Sequence, residues 1–355
     1  MADKVGVVLV NYRDYARKFL SACRDSLRAQ DYPQSDFSVY IIDNASSRES
    51  LKYLQTNYPE AEILPRSDGN YVAANNLGFE RALKDGCIYL VALNMDTEVD
   101  PYWLTELVAA LAHNPEAALA QSKIMLYPFS GKDKANSKIN SLGNVVNFLG
   151  FGFTSAYREP DREIAGYPQI KGYVSGCSLI IRGSVWEEIG GYWEEIYMYH
   201  DDLELSLRAR LAGYSLVLAP LSVVWHKYEF KRSTQMVYYM ERNRIIFLLA
   251  FYPMYLLILI FLPALVMELG LLVFSGLRGW WSAKLKADAY FLNPLTVFKI
   301  ARYRRRLNKI QKVSFLTLAR DFSGTIDFAE IANPLLSRVV NPLFSAYWRL
   351  VKKII

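Results

Sequence analysis

Along the amino-terminal part of the chain, apolar residues come in short blocks separated by mixed-polarity stretches, the rhythm of strands alternating with helices. Val5–Val10 predicts a strand and Tyr15–Gln30 a helix. Val39–Ile42, Glu62–Leu64 and Ile88–Leu93 predict further strands, with helices Ser50–Asn57 and Val72–Lys84 between them. This βαβαβαβ order implies a parallel, doubly wound arrangement. A strand buried on both faces presents its first polar residues at its carboxyl end, where open α/β sheets bind ligands. Residues 128–170 lose the rhythm and turn rich in Gly, Asn, Ser and aromatics, as a functional loop or lid does. Regularity returns with a strand at Gly176–Ile181, a helix at Leu203–Ala212 ended by Gly213, and a strand at Ser222–Trp225 that stops at His226.

The remaining chain is of another kind. Ile245–Met267 runs 23 residues without a charge, interrupted by Pro253 and Pro263 and closed by Glu268. Arg242 and Arg244 precede it; Arg278, Lys284 and Lys286 follow, with Trp280 and Trp281 at a plausible interface level. Basic flanks on both sides prefer the same face of a membrane. The pattern therefore predicts a monotopic or re-entrant hairpin broken near Pro263 rather than a single crossing, with a buried core hairpin as the alternative. Near the carboxyl end, Val339, Val340, Leu343, Phe344, Tyr347, Trp348, Val351 and Ile355 form a helical stripe beside Arg349, Lys352 and Lys353.

Charge divides the chain at the same place. Residues 1–226 carry 21 Lys and Arg against 28 Asp and Glu, while residues 227–355 carry 20 against 7. A basic, apolar tail points to an anionic membrane surface rather than to nucleic acid, so Arg302–Arg306 reads as a solvated helix face near lipid. The aromatic-rich tail also suits a subunit interface, which leaves a homo-oligomer open. Cys23, Cys87 and Cys177 are widely spaced and form no CxxC pair, as reduced core thiols of a cytosolic protein would be. Met1-Ala2-Asp3-Lys4 shows no signal peptide. The missing GxGxxG and Walker A motifs argue against a dinucleotide oxidoreductase and a P-loop ATPase.

The polar residues at the predicted strand ends carry the candidate chemistry. Asn94-Met95-Asp96-Thr97 places a carboxylate after an apolar strand, able to hold a divalent cation against a phosphate or simply to cap a helix. Asp43 ends the second strand, as an acceptor for a nucleobase or ribose or as a turn residue. Asn75 and Asn76 lie at the start of a helix opened by Asn70. Asp201, Asp202 and Glu204 crowd a helix amino terminus, more acid than capping needs, and one of them suits a general base. Arg208 pairs most simply with Glu204 four residues earlier. His226, at a strand end, is a credible second metal ligand beside Asp96.

Taken in order, Val8-Leu9-Val10-Asn11-Tyr12, Asp43-Asn44-Ala45-Ser46-Ser47, Ala74-Asn75-Asn76-Leu77-Gly78, Asn94-Met95-Asp96-Thr97, Gly176-Cys177-Ser178-Leu179-Ile180-Ile181-Arg182 and Gly190-Gly191-Tyr192 resemble the motifs of family 2 glycosyltransferases of the GT-A fold, in the non-processive, rhamnosyltransferase-like branch. The resemblance covers roughly residues 5–245. It implies a nucleotide-sugar-binding, Rossmann-like mixed sheet flanked by helices, followed by a carboxyl-terminal helical membrane-associating region. The expected division is a catalytic domain over 1–240, with a donor-binding half of about 1–127 and an acceptor half of about 128–240, and a basic helical region over 241–355.

The resemblance further implies an inverting glycosyltransferase that moves one sugar from a nucleoside diphosphate to a hydroxyl of a lipid-linked glycan at the cytoplasmic face of the membrane. Val10, Asn11, Tyr12, Asp43, Asn75, Asn76, Asn94 and Asp96 would serve the donor, and Asp96 and His226 a Mg²⁺ or Mn²⁺ ion. Asp202, with Asp201 its rival, would be the base. Gly176, Cys177, Arg242 and Arg244 would lie on the acceptor side. Met95 replaces the family's usual Pro, and Asp201-Asp202-Leu203-Glu204-Leu205 replaces Glu-Asp-x-Asp-Leu. The QxxRW motif of processive synthases is missing; Glu241-Arg242-Asn243-Arg244 stands in its region, which argues for one sugar per encounter. The likeness leans towards rhamnose. A polyprenyl-phosphate sugar synthase and a catalytically silent scaffold of a glycan assembly complex remain as alternatives.

Overall fold

The structure, a computed structural model, describes residues 3–128, 133–227, 233–327 and 334–355. By compactness the chain divides into a sheet-containing unit (1–144, 154–209 and 214–229) and a helical unit (145–153, 210–213 and 230–355).

The sheet-containing unit begins β1 (Val5–Tyr12), α1 (Tyr15–Arg28), β2 (Phe37–Asn44), α2 (Arg48–Asn57), β3 (Glu62–Arg66), α3 (Tyr71–Lys84) and β4 (Tyr89–Leu93). There follow β5 (Thr97–Val99), α4 (Trp103–Ala112), β6 (Ala117–Leu126), β7 (Ile139–Ser141), the small pair β8 (Asn144–Val146) and β9 (Gly152–Thr154), most of which belongs to the helical unit, and then β10 (Ser178–Arg182), α5 (Gly183–Ile189), α6 (Asp201–Leu211) and β11 (Ser215–His226). The main sheet runs β3-β2-β1-β4-β10-β6-β11-β5, with β7 beside β6. β1 to β4 are mutually parallel, as the alternation predicts. β10 then runs antiparallel to both β4 and β6, which makes the sheet mixed. Two glycines let α3 settle close on β1: a Cβ on Gly78 would stand 2.5 Å from a Val8 methyl, and one on Gly6 2.4 Å from the Ala82 Cβ.

Several strands exceed the sequence expectation, β6 and β11 the longest of them. β6 lies between β10 and β11, although its Ala-rich start and its Gln121-Ser122-Lys123 centre hide the strand pattern. Its buried hydroxyl is satisfied laterally: Ser122 shares hydrogen bonds with Ser178 of β10 at 2.8 Å and Ser222 of β11 at 2.9 Å, and accepts from Trp103 Nε1 at 3.1 Å. β11 starts seven residues before the predicted Ser222, bridging Pro220 by an irregularity between Ala219 and Val223. The segment expected to be irregular contributes β7 to the sheet, and residues 129–132 lie outside the described residues.

The helical unit contains α7 (Thr234–Phe251), α8 (Met254–Leu277), α9 (Trp281–Ala289), α10 (Pro294–Ile310), α11 (Phe315–Ala319) and α12 (Asn341–Val351). The apolar run breaks at Tyr252-Pro253, not at Pro263, which sits inside a continuous α8. A proline within a helix leaves the carbonyl four residues earlier without its usual partner. Here that carbonyl belongs to Leu259, and the Tyr347 hydroxyl of α12 donates to it. The expected carboxyl-terminal stripe is also divided. Phe344, Trp348, Val351 and Ile355 are buried in the unit's core, with Trp348 stacked on Phe148, while Val339 and Leu343 stay exposed.

Candidate active site

β4 and β10 bring the site together. The Asn94 N–H, just past β4, donates to the Cys177 carbonyl at 2.9 Å, so the carboxyl end of one strand meets the start of its antiparallel neighbour. Asp96 follows Asn94, and Gly176 precedes Cys177. The Gly176 N–H donates to Asp202 Oδ2 at 3.0 Å. Asp96 and Asp202, separated by more than a hundred positions, are thereby tied to one strand junction.

Asp96 is buried beside His226, whose Nε2 lies 3.4 Å from Asp96 Oδ1. His226 arrives there at the end of β11, which pairs with Thr97 of β5. Burial raises the Asp96 carboxyl, but His226 and a hydrogen bond from the Tyr15 hydroxyl outweigh it and hold Asp96 below its ordinary value. His226 shows the complement: burial disfavours its charge, while Cys177 and Asp96 beside it carry it up to about 10. Its Nδ1 lies 3.3 Å from Asn140 Oδ1 of β7.

Asp96 Oδ1 is buried and faces His226 Nε2 without a hydrogen bond of good geometry. Among the described residues no group of three or more His, Cys, Asp or Glu side chains could hold a cation. Asp96 and His226 offer one carboxylate and one imidazole, a donor set that a divalent cation would have to complete with ligands from outside the chain.

The acid pair is held differently. Asp201 and Asp202 open α6 directly after Tyr197, Tyr199 and His200, all at positive φ (66°, 61° and 63°). Such backbone costs about 1–3 kcal/mol per residue and persists where its surroundings over-determine it. Asp202 accepts from the N–H groups of Gly176 at 3.0 Å and Leu203 at 2.8 Å. Burial raises Asp202, and these two N–H groups act against the rise. Asp201, buried and next to the Asp202 charge, is pushed up to about 8. Burial thus pushes both carboxyls above their ordinary value, and the Asp202 charge adds to the rise at Asp201. A Cβ on Gly176 would meet Asp202 Oδ2 at 3.8 Å and Asp201 Oδ2 at 3.9 Å, so both carboxylates face the space left by the missing side chain. Glu204 points elsewhere, into a two-bond pair with fully buried Arg208 at 2.8 and 3.0 Å.

The remaining predicted residues scatter in role. Val10 is partly buried near the end of β1, and Tyr12, the last residue of that strand, is exposed. Asp43 is completely buried, with its oxygens accepting from Asn11 Nδ2 at 2.7 Å, Ser46 Oγ at 2.7 Å and Ser50 Oγ at 2.6 Å. Asn11 also accepts from the Ala16 N–H at 2.8 Å, so Asn11 and Asp43 lock the strand ends to the starts of α1 and α2. Asn76 ties α3 to a turn, donating to the Tyr192 carbonyl at 3.0 Å and accepting from the Tyr192 N–H at 2.9 Å. Asn75 donates back to the Tyr71 carbonyl, and Asn94 Oδ1 accepts from the Tyr71 hydroxyl at 3.1 Å.

Arg242 and Arg244 depart from expectation. Both belong to the helical unit and are buried there instead of offering surface charge. Arg242 stands over the rings of Tyr238, Tyr239 and Tyr290 at 4.8–5.6 Å, and Arg244 pairs with Glu241 and Glu268. A buried guanidinium is stable only with such partners. Sequence reasoning missed Tyr15, Tyr71 and Asn140, which reach the site from a helix start, a neighbouring helix and the irregular segment. No motif spacing marks them.

A sheet of this order, with a carboxylate–histidine pair and an acid dyad at one strand junction, defines a glycosyltransferase of the GT-A fold. The chain belongs to the glycosyl transferase family 2, whose family model matches residues 6–188. It is 29% identical over 238 residues to the O-antigen biosynthesis protein RfbC of Myxococcus xanthus, covering 64% of this chain and 18% of that protein. It is 26% identical over 251 residues to an N-acetylglucosaminyl-diphospho-decaprenol L-rhamnosyltransferase of Mycobacterium tuberculosis (strain CDC 1551 / Oshkosh), covering 64% of this chain and 76% of that one. Among solved structures, the crystal structure of GalNAc-T7 with UDP, GalNAc and Mn²⁺ superposes with a TM-score of 0.56 at 16% identity, over 72% of this chain and 49% of that one.

Proposed function

We propose that the protein transfers one sugar, with inversion, from a nucleoside diphosphate to a hydroxyl of a lipid-linked glycan at the cytoplasmic leaflet. The observation that carries this reading is the β4–β10 junction, which serves Asp96 and Asp202 at once. The rhamnosyltransferase relative, named for a decaprenol-linked substrate, supports a lipid-linked acceptor and rhamnose as the sugar. The GalNAc-T7 complex with UDP and Mn²⁺ supports a nucleotide donor and a divalent ion.

Asp96 and His226 would hold Mg²⁺ or Mn²⁺, which when bound neutralises charge on the departing diphosphate. Asn140 fixes the imidazole so that Nε2 faces Asp96. Val10, Tyr12 and Asn94 line the donor side. Asp43 and Asn11 build the wall behind the nucleoside, and Asn75 and Asn76 hold α3 against it. Asp202, oriented by the Gly176 N–H, takes the proton from the acceptor hydroxyl as its oxygen attacks the anomeric carbon from the face opposite the diphosphate. Asp201, pushed up to about 8, holds its proton near neutrality beside it. Gly176 and Cys177 border the acceptor.

The test is nucleotide release over a panel of sugar nucleotides, with and without Mn²⁺ and a detergent-solubilised lipid-linked acceptor. Metal- and acceptor-dependent release from one donor, lost in Asp96→Ala and Asp202→Asn, is the expected result. Release that survives Asp202→Asn would favour a lipid phosphate as acceptor, which needs no strong base. If no donor is bound or consumed, the scaffold reading replaces the transferase.

A further inference from the structure

The helical unit wears its apolar residues on the outside. Among the described residues, 28 large hydrophobic side chains are exposed, and 22 of them belong to this unit. α8 has two opposed faces. Leu256, Ile260 and Pro263 are buried, while Ile258, Leu262 and Leu265 are 68%, 63% and 43% exposed on the far side. The carboxyl-terminal helix repeats the division, with Leu343 and Leu350 65% and 60% exposed opposite the buried Phe344, Trp348 and Val351, and Ile354 just after it 71% exposed. The Tyr347–Leu259 hydrogen bond fixes this helix beside α8.

By length and composition α8 is able to cross a membrane. Its packed side opposes that. Glu268 is the fifteenth of its 24 residues, about 21 Å along the axis at 1.5 Å per residue. Its carboxylate pairs with Arg244 and with Lys284 of α9, and Lys284 also binds Asp288 at 2.7 Å. A crossing α8 would carry this cluster, and exposed Lys286 on the same α9, to hydrocarbon depth, where ionised side chains are costly. A helix lying in the membrane plane keeps the cluster on the side away from lipid.

Charge selects the occupant. Residues 227–355 carry a net charge of +13, and exposed Arg278, Arg349 and Lys353 border the bare apolar stripes. Two copies of so basic a surface would repel, whereas an anionic lipid surface satisfies both charge and apolarity.

We propose that α8 and the carboxyl-terminal helix form one in-plane docking face for an anionic phospholipid bilayer, attaching the protein to a single leaflet without crossing. This deepens the membrane-surface reading above, and its test uses neither donor nor acceptor, so its failure is separable from failure of the transferase reading. The full chain is floated with phosphatidylcholine vesicles and with vesicles containing about one third phosphatidylglycerol, at low and high salt. Strong binding to the anionic vesicles, reduced by salt and reduced about tenfold or more in Leu343→Asp/Leu350→Asp, is expected. Both positions are exposed, so the variant should keep its thermal unfolding profile, and Leu343→Ala/Leu350→Ala provides a milder control. No vesicle binding, binding indifferent to the substitutions, or a lipid-free dimer that hides these residues would overturn the proposal. In sealed vesicles, a membrane-impermeant maleimide added outside should meet Met254→Cys and Leu277→Cys alike; labelling of only one end would mean crossing.

Discussion

The two units of this protein treat charge and apolarity in opposite ways. In the sheet-containing unit the apolar strands are covered by its own helices, and six large hydrophobic side chains remain exposed among the described residues, two of them (Tyr12 and Tyr15) at the site. Several of its buried polar groups lie where chemistry is expected (Asn11, Asp43, Asp96, Asp201 and His226), and its buried Arg208 is paired with Glu204 away from them. The helical unit buries Arg242, Arg244 and Lys284 and leaves 22 large hydrophobic side chains bare. The first arrangement is that of an enzyme core in water. The second suits a body with a face in a non-aqueous medium, where interior charges must be neutralised by partners and exterior leucines need none. A net-charge sum over the tail would not reveal this, because three of its cations are internal.

The sharpest break in the comparison concerns the acid dyad. Asp202→Asn should lower acceptor-dependent turnover by about 10²–10⁴-fold, the usual worth of a general base, while binding of the donor persists. Asp201→Asn mimics a residue that already holds its proton, so single-turnover transfer rates should stay within about tenfold of the parent.

Next in size are the buried ion pairs. Glu204→Ala strands the fully buried Arg208 and should destabilise the sheet-containing unit by about 3–5 kcal/mol. Glu268→Ala should cost less, because Arg244 keeps Glu241 at 3.0 Å and Lys284 keeps Asp288 at 2.7 Å. Chemical denaturation of the two variants side by side checks the order. Asn140→Ala removes the partner of His226 Nδ1 and should weaken Mn²⁺ affinity by about 10–100-fold, read by calorimetry.

The smallest effect is one of pH. The folded-state value of Asp201, about 8, lies far above its unfolded value, so the folded chain binds the extra proton. Stability from this group is complete below the ordinary carboxylate range and declines as pH rises through about 8. Thermal unfolding followed from about pH 5 to 9 should show that decline, and Asp201→Asn should flatten it.

Much of the fold was legible where one residue type speaks for itself. β1, β2 and β4 are β-branched and aliphatic runs, and the charge-free stretch gave away α8. β6 was not legible, because Ala117–Ala120 suits a helix equally well and Ser122 is acceptable in a strand only through hydroxyls contributed by Ser178 and Ser222. Pro263 read as a break because its consequence is local, whereas its remedy, the Tyr347 hydroxyl, comes from another helix. In the site, Asp96, His226, Asp201 and Asp202 stood out as polar residues ending apolar segments. Tyr15, Tyr71 and Asn140 had no such signature. They are ordinary residues made relevant by where the chain returns. The same non-local logic buries Arg242 and Arg244, which in sequence look like free surface charge.

The most direct test of the central claim is Mn²⁺-dependent binding of a nucleoside diphosphate, measured calorimetrically on the parent, Asp96→Ala and Asp202→Asn. The two acids share one strand junction but have different tasks. Binding should be lost in Asp96→Ala and kept in Asp202→Asn. Undiminished, metal-dependent binding by Asp96→Ala would contradict the assignment of the Asp96–His226 pair and, with it, the account of how this site is built.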